Sequence, residues 1–193
     1  MTCRLPDMHD IDIPAAVTTL HRGGVIAYPT EAVWGLGCDP MNEAAVTRLL
    51  TIKQRDVAKG LILIAAHVDQ FDDLLDWEAL PPDRAEAVYD TWPGPHTWIV
   101  PARGRMPKWI TGEHAGVAVR VSAHPTVIAL CEAFGGPITS TSANPAGAPP
   151  AYSRDRLDSG LVADLDGVVA GETGGGSAPS TIRDARTGQV LRA

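Results

Sequence analysis

The sequence predicts one α/β (α+β) domain spanning residues 1–193: a twisted mixed sheet, largely covered, with helices flanking it. Three observations point there. Stretches with helical and with strand periodicity are interspersed along the chain instead of segregating. The run Leu61–Ala66 is apolar at every position, as in a strand buried on both faces. No internal repeat or low-complexity linker divides the 193 residues, a length that one domain fills.

Taken in order, Pro14–Arg22 reads as a helix. Proline suits its first turn, Ile13, Val17 and Leu20 share a face, and Gly23-Gly24 stops it. Val25–Tyr28 is a strand ended by Pro29, and Pro29–Pro40 reads as a loop. Asn42 caps a second helix, with Ala45, Val46, Leu49 and Leu50 facing inward, to about Ile52. After the strand Leu61–Ala66 come two helical stretches, His67–Leu75 and Pro82–Thr91, then a strand at Thr97–Pro101. In Val117–Val121 three valines point one way, while Ala118 and Arg120 point the other. Pro125–Phe134 is a helix stopped by Gly135-Gly136, and Ile138–Ser142 is a hydroxyl-rich strand. The loop Asn144–Pro150 leads to a short helix that Ser153 could cap. Strands near Gly167–Ala170, Ser180–Asp184 and Gln189–Arg192 finish the chain. Periodicity leaves the strand order open.

Composition removes several classes of function. No apolar run approaches the roughly 20 residues that cross a bilayer, and the first ten residues lack an apolar signal core. A cytoplasmic protein without membrane contact is expected. Cys3, Cys38 and Cys131 have neither zinc-ligand nor redox spacing. The net charge of −7 argues against coating nucleic acid by bulk charge. The excess is local: eight acids stand against Arg84 between Asp69 and Asp90. The remainder is near neutral, with cations grouped at Lys53/Arg55/Lys59, at Arg103/Arg105/Lys108 and near the C-terminus.

Standard signatures are absent: there is no G-x-x-x-x-G-K-[ST], no H-E-x-x-H and no G-x-S-x-G. Gly35–Pro40 begins like a dinucleotide fingerprint but carries Pro40 where its third glycine belongs. Five segments remain, each open to two readings. Lys53, Arg55 and Lys59 suit a triphosphate, or are cations at a helix C-terminus, which the macrodipole favours anyway. Ser140–Asn144 can hold phosphate oxygens, ribose or base, or is a polar strand end. Arg120, the one charge in an apolar strand, faces either solvent or an anion in a cleft. Gly171–Ser177, followed by Pro179-Ser180-Thr181, allows close backbone approach to a ligand, or is a surface loop. Trp92–Thr97 is read as a rigid turn in which Trp92 packs.

In combination the motifs are more telling. Tyr28–Leu36 (YPTEAVWGL), Lys53-Gln54-Arg55, Lys59-Gly60-Leu61, Trp92–Pro95, Val117–Val121, Ser140–Asn144 (STSAN) and Pro179–Ile182, in this order, resemble the YrdC/TsaC family from about residue 12 to the end. Glu31-Ala32, Lys59–Leu63 and Gly171–Gly175 look like its short bacterial TsaC branch. The resemblance implies a twisted mixed sheet with a large concave basic cleft. It also implies an enzyme, a nucleotidyltransferase that makes threonylcarbamoyl-adenylate and pyrophosphate from L-threonine, bicarbonate and ATP. The resemblance further implies partner proteins that pass the threonylcarbamoyl group to the adenosine beside the anticodon of tRNA, with tRNA or double-stranded RNA contact by this chain itself left open.

Carried over by motif, Arg55, Lys59, Ser140, Ser142, Asn144 and Arg192 would bind ATP, and Thr30, Arg120 and Ser180 would bind threonine. Lys53 and Arg55 would act in catalysis by neutralising the pyrophosphate, with Mg²⁺ accompanying the ATP. Many relatives have threonine at Ala32 and proline at Gly60, and longer ones have a histidine near Ile64. Those also carry a C-terminal extension, for which the loop Gly171–Ser177 is the substitute expected here. Two rivals stand beside this reading. One is a double-stranded RNA or tRNA-binding module without catalysis, against which the acidity weighs. The other is a carbamoyl-adenylate domain like those of hydrogenase-maturation enzymes, whose other parts are missing from this sequence.

Overall fold

The structure, a computed structural model, describes residues 10–104 and 106–192. Cys3, Arg105 and the N-terminal stretch read above for a signal core lie outside the described residues, apart from Asp10. Among the described residues, ten strands form a single sheet. They are β1 (Asp10–Ile11), β2 (Ile26–Pro29), β3 (Trp34–Gly37), β4 (Ile62–Ala65), β5 (His96–Pro101), β6 (Gly116–Val121), β7 (Ile138–Ser142), β8 (Gly167–Val169), β9 (Thr181–Asp184) and β10 (Val190–Arg192). Their order across the sheet is β1-β8-β2-β3-β7-β4-β6-β5-β9-β10. Four pairs are parallel (β1/β8, β2/β8, β4/β6, β5/β9) and the other five are antiparallel, so the sheet is mixed.

The helices are α1 (Ile13–His21), α2 (Glu43–Lys53), α3 (Pro82–Tyr89), α4 (Lys108–Thr111), α5 (Pro125–Phe134) and α6 (Ser159–Ala163). The Asp12 carboxylate accepts from the Ala15 amide to start α1, and Asn42 caps α2 through the Ala45 amide. Gln54 ends α2 in the left-handed region at φ 51, and Gly135 ends α5 at φ 86.

Alternation in the strands builds two cores. Val25 and Ala27 of the β2 segment and Leu63 and Ala65 of β4 point into the larger one, which α2 covers with Ala45, Val46 and Leu49. Ile26, Tyr28, Ile64 and Ala66 point into the smaller one, roofed by α1 and α5 through Leu20, Val127 and Leu130. Burial on both sides explains the unbroken apolar run in β4. Each fully buried leucine contributes about 1.5–3 kcal/mol. Cys38 and Cys131 are free thiols, and burial pushes both up to about 12.

Several elements differ from the reading of the sequence. Pro29–Pro40 is not wholly loop: Trp34–Gly37 forms β3, whose ladder partners β2 and β7 come from elsewhere in the chain. His67–Leu75 holds one 3-10 turn, Val68–Phe71, and not a longer helix. His67 provides no side-chain cap, and the segment's end is drawn toward β5, where Leu75 bridges Ala102 and the Asp76 amide donates to the Pro101 carbonyl. Ser153 stands at the N-cap position of a 3-10 turn, Arg154–Arg156, but makes no side-chain cap hydrogen bond to it. Its hydroxyl bonds the Asp155 carboxylate at 2.5 Å, and α6 is capped instead by Asp158. Trp92 packs as expected, against Phe71 and Trp77, with its indole N–H donating to the His96 carbonyl at 2.7 Å.

Candidate active site

The sheet leaves part of one face bare, and this becomes the floor of a cavity. Ser140 of β7, Ile62 of β4, Ala118 of β6 and Ile99 of β5 stand side by side in one row across four strands. The roof of α1 and α5 reaches Ile64, two residues along β4 on the same face, but Ile62 lines open space. The cavity has a volume of about 570 Å³. Lys53, Arg55, Lys59, Arg120 and Arg192 line it, and among the described residues no Asp or Glu does. An acidic protein thus gathers cations at one hollow, where a polyanion gains most from them.

All ten residues singled out from the sequence line this cavity: Thr30, Lys53, Arg55, Lys59, Arg120, Ser140, Ser142, Asn144, Ser180 and Arg192. They come from the β2–β3 bend, the end of α2, the turn before β4, the strands β6 and β7, the lead into β9, and β10.

Local hydrogen bonds set most of these side chains. The left-handed Gln54 separates two basic neighbours, and they part company around it. Arg55 folds back so that Nε and Nη2 both donate to the Gly60 carbonyl, at 3.3 and 3.0 Å. Lys53 turns inward, where Nζ donates to the Ser142 carbonyl (2.5 Å), the Ser142 hydroxyl (3.2 Å) and the Asn144 carbonyl (3.0 Å). Lys53 therefore departs from the open phosphate cation expected of it, because its three protons already have acceptors inside the protein. Burial, and then the Arg55 charge, push its pKa down to about 8.

Asn144 donates through Nδ2 to the Pro145 and Ala148 carbonyls at 3.0 and 2.7 Å. Its Oδ1 is buried without a partner, leaving an acceptor for a ligand N–H or O–H. The Thr30 hydroxyl donates to the Val33 carbonyl at 2.7 Å. Ser180 shares a 2.8 Å hydrogen bond with Thr97, and its carbonyl accepts from Arg192 Nη2 at 2.8 Å. Burial, then the charges of Arg55 and Arg120, hold Arg192 below the usual arginine range, so Arg192 feels both of the other guanidiniums. A phosphate chain among them would relieve that repulsion.

Arg120 resolves its two readings in favour of the cleft. It is buried and ion-paired to Glu31, and its Nε donates to the Gly94 carbonyl at 3.1 Å. Glu31 was no candidate from the sequence beyond its place in the motif, because the partner that explains it lies on a distant strand. Burial alone would raise its pKa, but the Arg120 charge and the hydrogen bonds it accepts outweigh burial and hold it below the usual glutamate value. The glycine-rich segment is tied down at four points. The Glu172 carbonyl accepts from His124 Nε2, Thr173 donates to the Tyr152 carbonyl, and the Gly174 and Gly176 amides donate to the carbonyls of Thr30 and Glu31.

Fold and cavity together define a class: an α/β protein whose bare stretch of mixed sheet carries a cavity suited to a polyanionic nucleotide. The chain belongs to the Sua5/YciO/YrdC family, whose model, described as telomere recombination, matches residues 18–193. It is 62% identical over 182 residues to a threonylcarbamoyl-AMP synthase of Xanthomonas euvesicatoria pv. vesicatoria, covering 94% of this chain and 97% of the relative. A protein of the same name from Xanthomonas campestris pv. campestris is 60% identical over 184 residues, covering 95% and 98%. Among solved structures, P. abyssi Sua5 complexed with L-threonine superposes with a TM-score of 0.81 at 32% identity, covering 89% of this chain and 50% of that one. This chain thus spans about half of Sua5. E. coli YciO, at 24% identity and a TM-score of 0.78, covers 94% of this chain and 90% of its own and shares the fold. No helix among the described residues is long and apolar enough to cross a membrane.

Proposed function

We propose that this single-domain chain is a threonylcarbamoyl-AMP synthase, joining L-threonine, bicarbonate and ATP into threonylcarbamoyl-adenylate and pyrophosphate. One observation carries the reading: three guanidiniums, two lysines, an unpartnered amide oxygen and serine and threonine hydroxyls meet at one cavity that, among the described residues, no carboxylate lines. The names of the Xanthomonas relatives, threonylcarbamoyl-AMP synthase, and the L-threonine in the Sua5 complex support threonine and an adenylate as the chemistry of this cavity.

In this reading Arg55, Lys59 and Arg192 bind the phosphates. Ser140, Ser142 and the Asn144 amide hold the nucleotide. Thr30, Arg120 and Ser180 receive threonine, with its carboxylate on Arg120. The threonine amine adds to the bicarbonate carbon and water leaves, giving a carbamate. A carbamate oxygen then attacks the α-phosphorus and pyrophosphate departs. The protein supplies alignment and charge rather than a nucleophile. Lys53 acts one step back, fixing the Ser142–Asn144 segment by its three hydrogen bonds.

Among the described residues no three His, Cys, Asp or Glu side chains converge as metal ligands. The residues present do not fit a resident metal, and Mg²⁺ would arrive on the triphosphate, held by its oxygens. The unstable adenylate would be consumed in the cytoplasm by tRNA-modifying partner proteins, which place the threonylcarbamoyl group beside the anticodon.

The test is pyrophosphate release with L-threonine and bicarbonate each added or withheld. Release that needs both is the expected result. Release without threonine, or tight salt-dependent tRNA binding with no release at all, would replace the reading.

A further inference from the structure

We propose that Glu31 is a positioning residue for threonine recognition: from behind the cavity wall it holds the Arg120 guanidinium in the orientation that meets the substrate carboxylate. The inference rests on the reading of Arg120 as the carboxylate's partner.

The geometry fixes Arg120 on two sides. Its Nε donates to the Gly94 carbonyl at 3.1 Å, and its Nη2 pairs with Glu31 Oε2. That leaves the Nη1 edge for a carboxylate in the cavity that Arg120 lines. Glu31 is itself fixed, because Oε1 accepts from the Ser122 hydroxyl and the Ala123 amide, both at 2.9 Å. Arg120 and Ser122 lie two residues apart at the end of β6 on one face, so a single carboxylate clamps that strand end to the β2–β3 bend.

The bend is also held from outside. The Gly176 amide donates to the Glu31 carbonyl at 2.8 Å and the Gly174 amide to the Thr30 carbonyl at 3.0 Å. A Cβ on Gly176 would sit 2.9 Å from both the Glu31 carbonyl oxygen and Ala32 Cβ, an approach only glycine permits. Glu31 is thus the junction of bend, strand end and glycine-rich segment.

Its neighbours Thr30 and Ala32 line the cavity, but Glu31 does not. This removes it as the base for the threonine amine and leaves it acting through Arg120. Arg192 lies near enough to be disturbed by the Arg120 charge. Without Glu31, a long side chain next to like charge would lose both its partner and its single pose.

The test is the steady-state kinetics of pyrophosphate release for Glu31→Gln, Glu31→Asp, Arg120→Met and the double variant Glu31→Gln/Arg120→Met. For Glu31→Gln the KM for threonine should rise tenfold or more. The KM for ATP should stay within about twofold, and kcat at saturating threonine within about threefold. Glu31→Asp, which keeps the charge, should recover part of the loss, and the double variant should be no worse than Arg120→Met alone.

A threonine KM within twofold of wild type in Glu31→Gln, with a large rise in Arg120→Met, would overturn the inference and spare the Arg120 reading. An unchanged threonine KM in Arg120→Met would overturn both. Proportional rises in both KM values would mark a general structural defect and also overturn it. If melting curves show that Glu31→Gln does not fold, Glu31→Asp decides by the same criteria.

Discussion

Lys53 carries an ammonium whose pKa, about 8, lies well below the 10.5 of a free lysine, first because it is buried and then because Arg55 is close. Between those two values the unfolded chain binds the extra proton, so folding stability rises with pH across the window. Nucleotide binding should move the other way, because a neutral amine has two protons for three acceptors and releases part of the Ser142–Asn144 segment. From pH 8 to 10.5 the melting temperature of wild type should therefore gain on that of Lys53→Met, while the wild-type KM for ATP climbs. A constant melting difference across that range would exclude the titration. The site was legible where chemistry broke a pattern: a lone arginine in an apolar strand, three cations in seven residues, hydroxyls ending a strand. It was not legible where two residues explain each other across the fold. Neither the Glu31–Arg120 pair nor the seating of Lys53 on Ser142 and Asn144 leaves a local trace, since the partners lie on different elements.

The cavity wall that carries Lys59 depends on two glycines whose elements touch backbone to backbone. Gly60 (φ +63) and Gly112 (φ +60) both occupy the positive-φ half of conformational space, which is closed to proline. A Cβ on Gly112 would stand 2.3 Å from the Ala58 carbonyl oxygen. Gly135 also has positive φ, at +86, but nothing lies within 4 Å of its would-be Cβ. The two positions separate strain from collision. Gly135→Ala should cost about 1 kcal/mol, and Gly112→Ala about 3 kcal/mol or more in urea unfolding. Only Gly112→Ala should also raise the KM for ATP, by displacing the 3-10 turn Val57–Lys59. Equal costs would mean that α4 moves freely away from that turn. Elements with their own signals were readable: Asn42 announces α2, and the glycine pair after Phe134 announces the end of α5. β3 was not, because the glycine-containing WGLG, lying between Pro29 and Pro40, has the composition of a loop and becomes a strand only through the ladders that β2 and β7 bring to it.

At the scale of the molecule, a chain of net charge −7 must admit a substrate of the same sign. It does so by segregation: the excess of acids lies in residues 69–90, and among the described residues the cavity has five cations and no carboxylate in its lining. Such an arrangement attracts at short range and repels at long range, and salt acts on both. The Debye length falls from about 14 Å at 50 mM to about 4 Å at 500 mM ionic strength, so attraction to the anionic nucleotide weakens strongly. Threonine differs. It enters as a zwitterion of zero net charge, and the cation proposed to meet its carboxylate is already neutralised by Glu31. Raising KCl from 50 to 500 mM should therefore increase the KM for ATP at least fivefold and leave the KM for threonine within about twofold. Initial rates of pyrophosphate release, varying one substrate at a time, measure both. If the two constants rose in step, Arg55, Lys59 and Arg192 would not be acting as a polyanion site. Salt would then be loosening the protein as a whole, and the division of the cavity into a phosphate end and an amino-acid end would have to be abandoned.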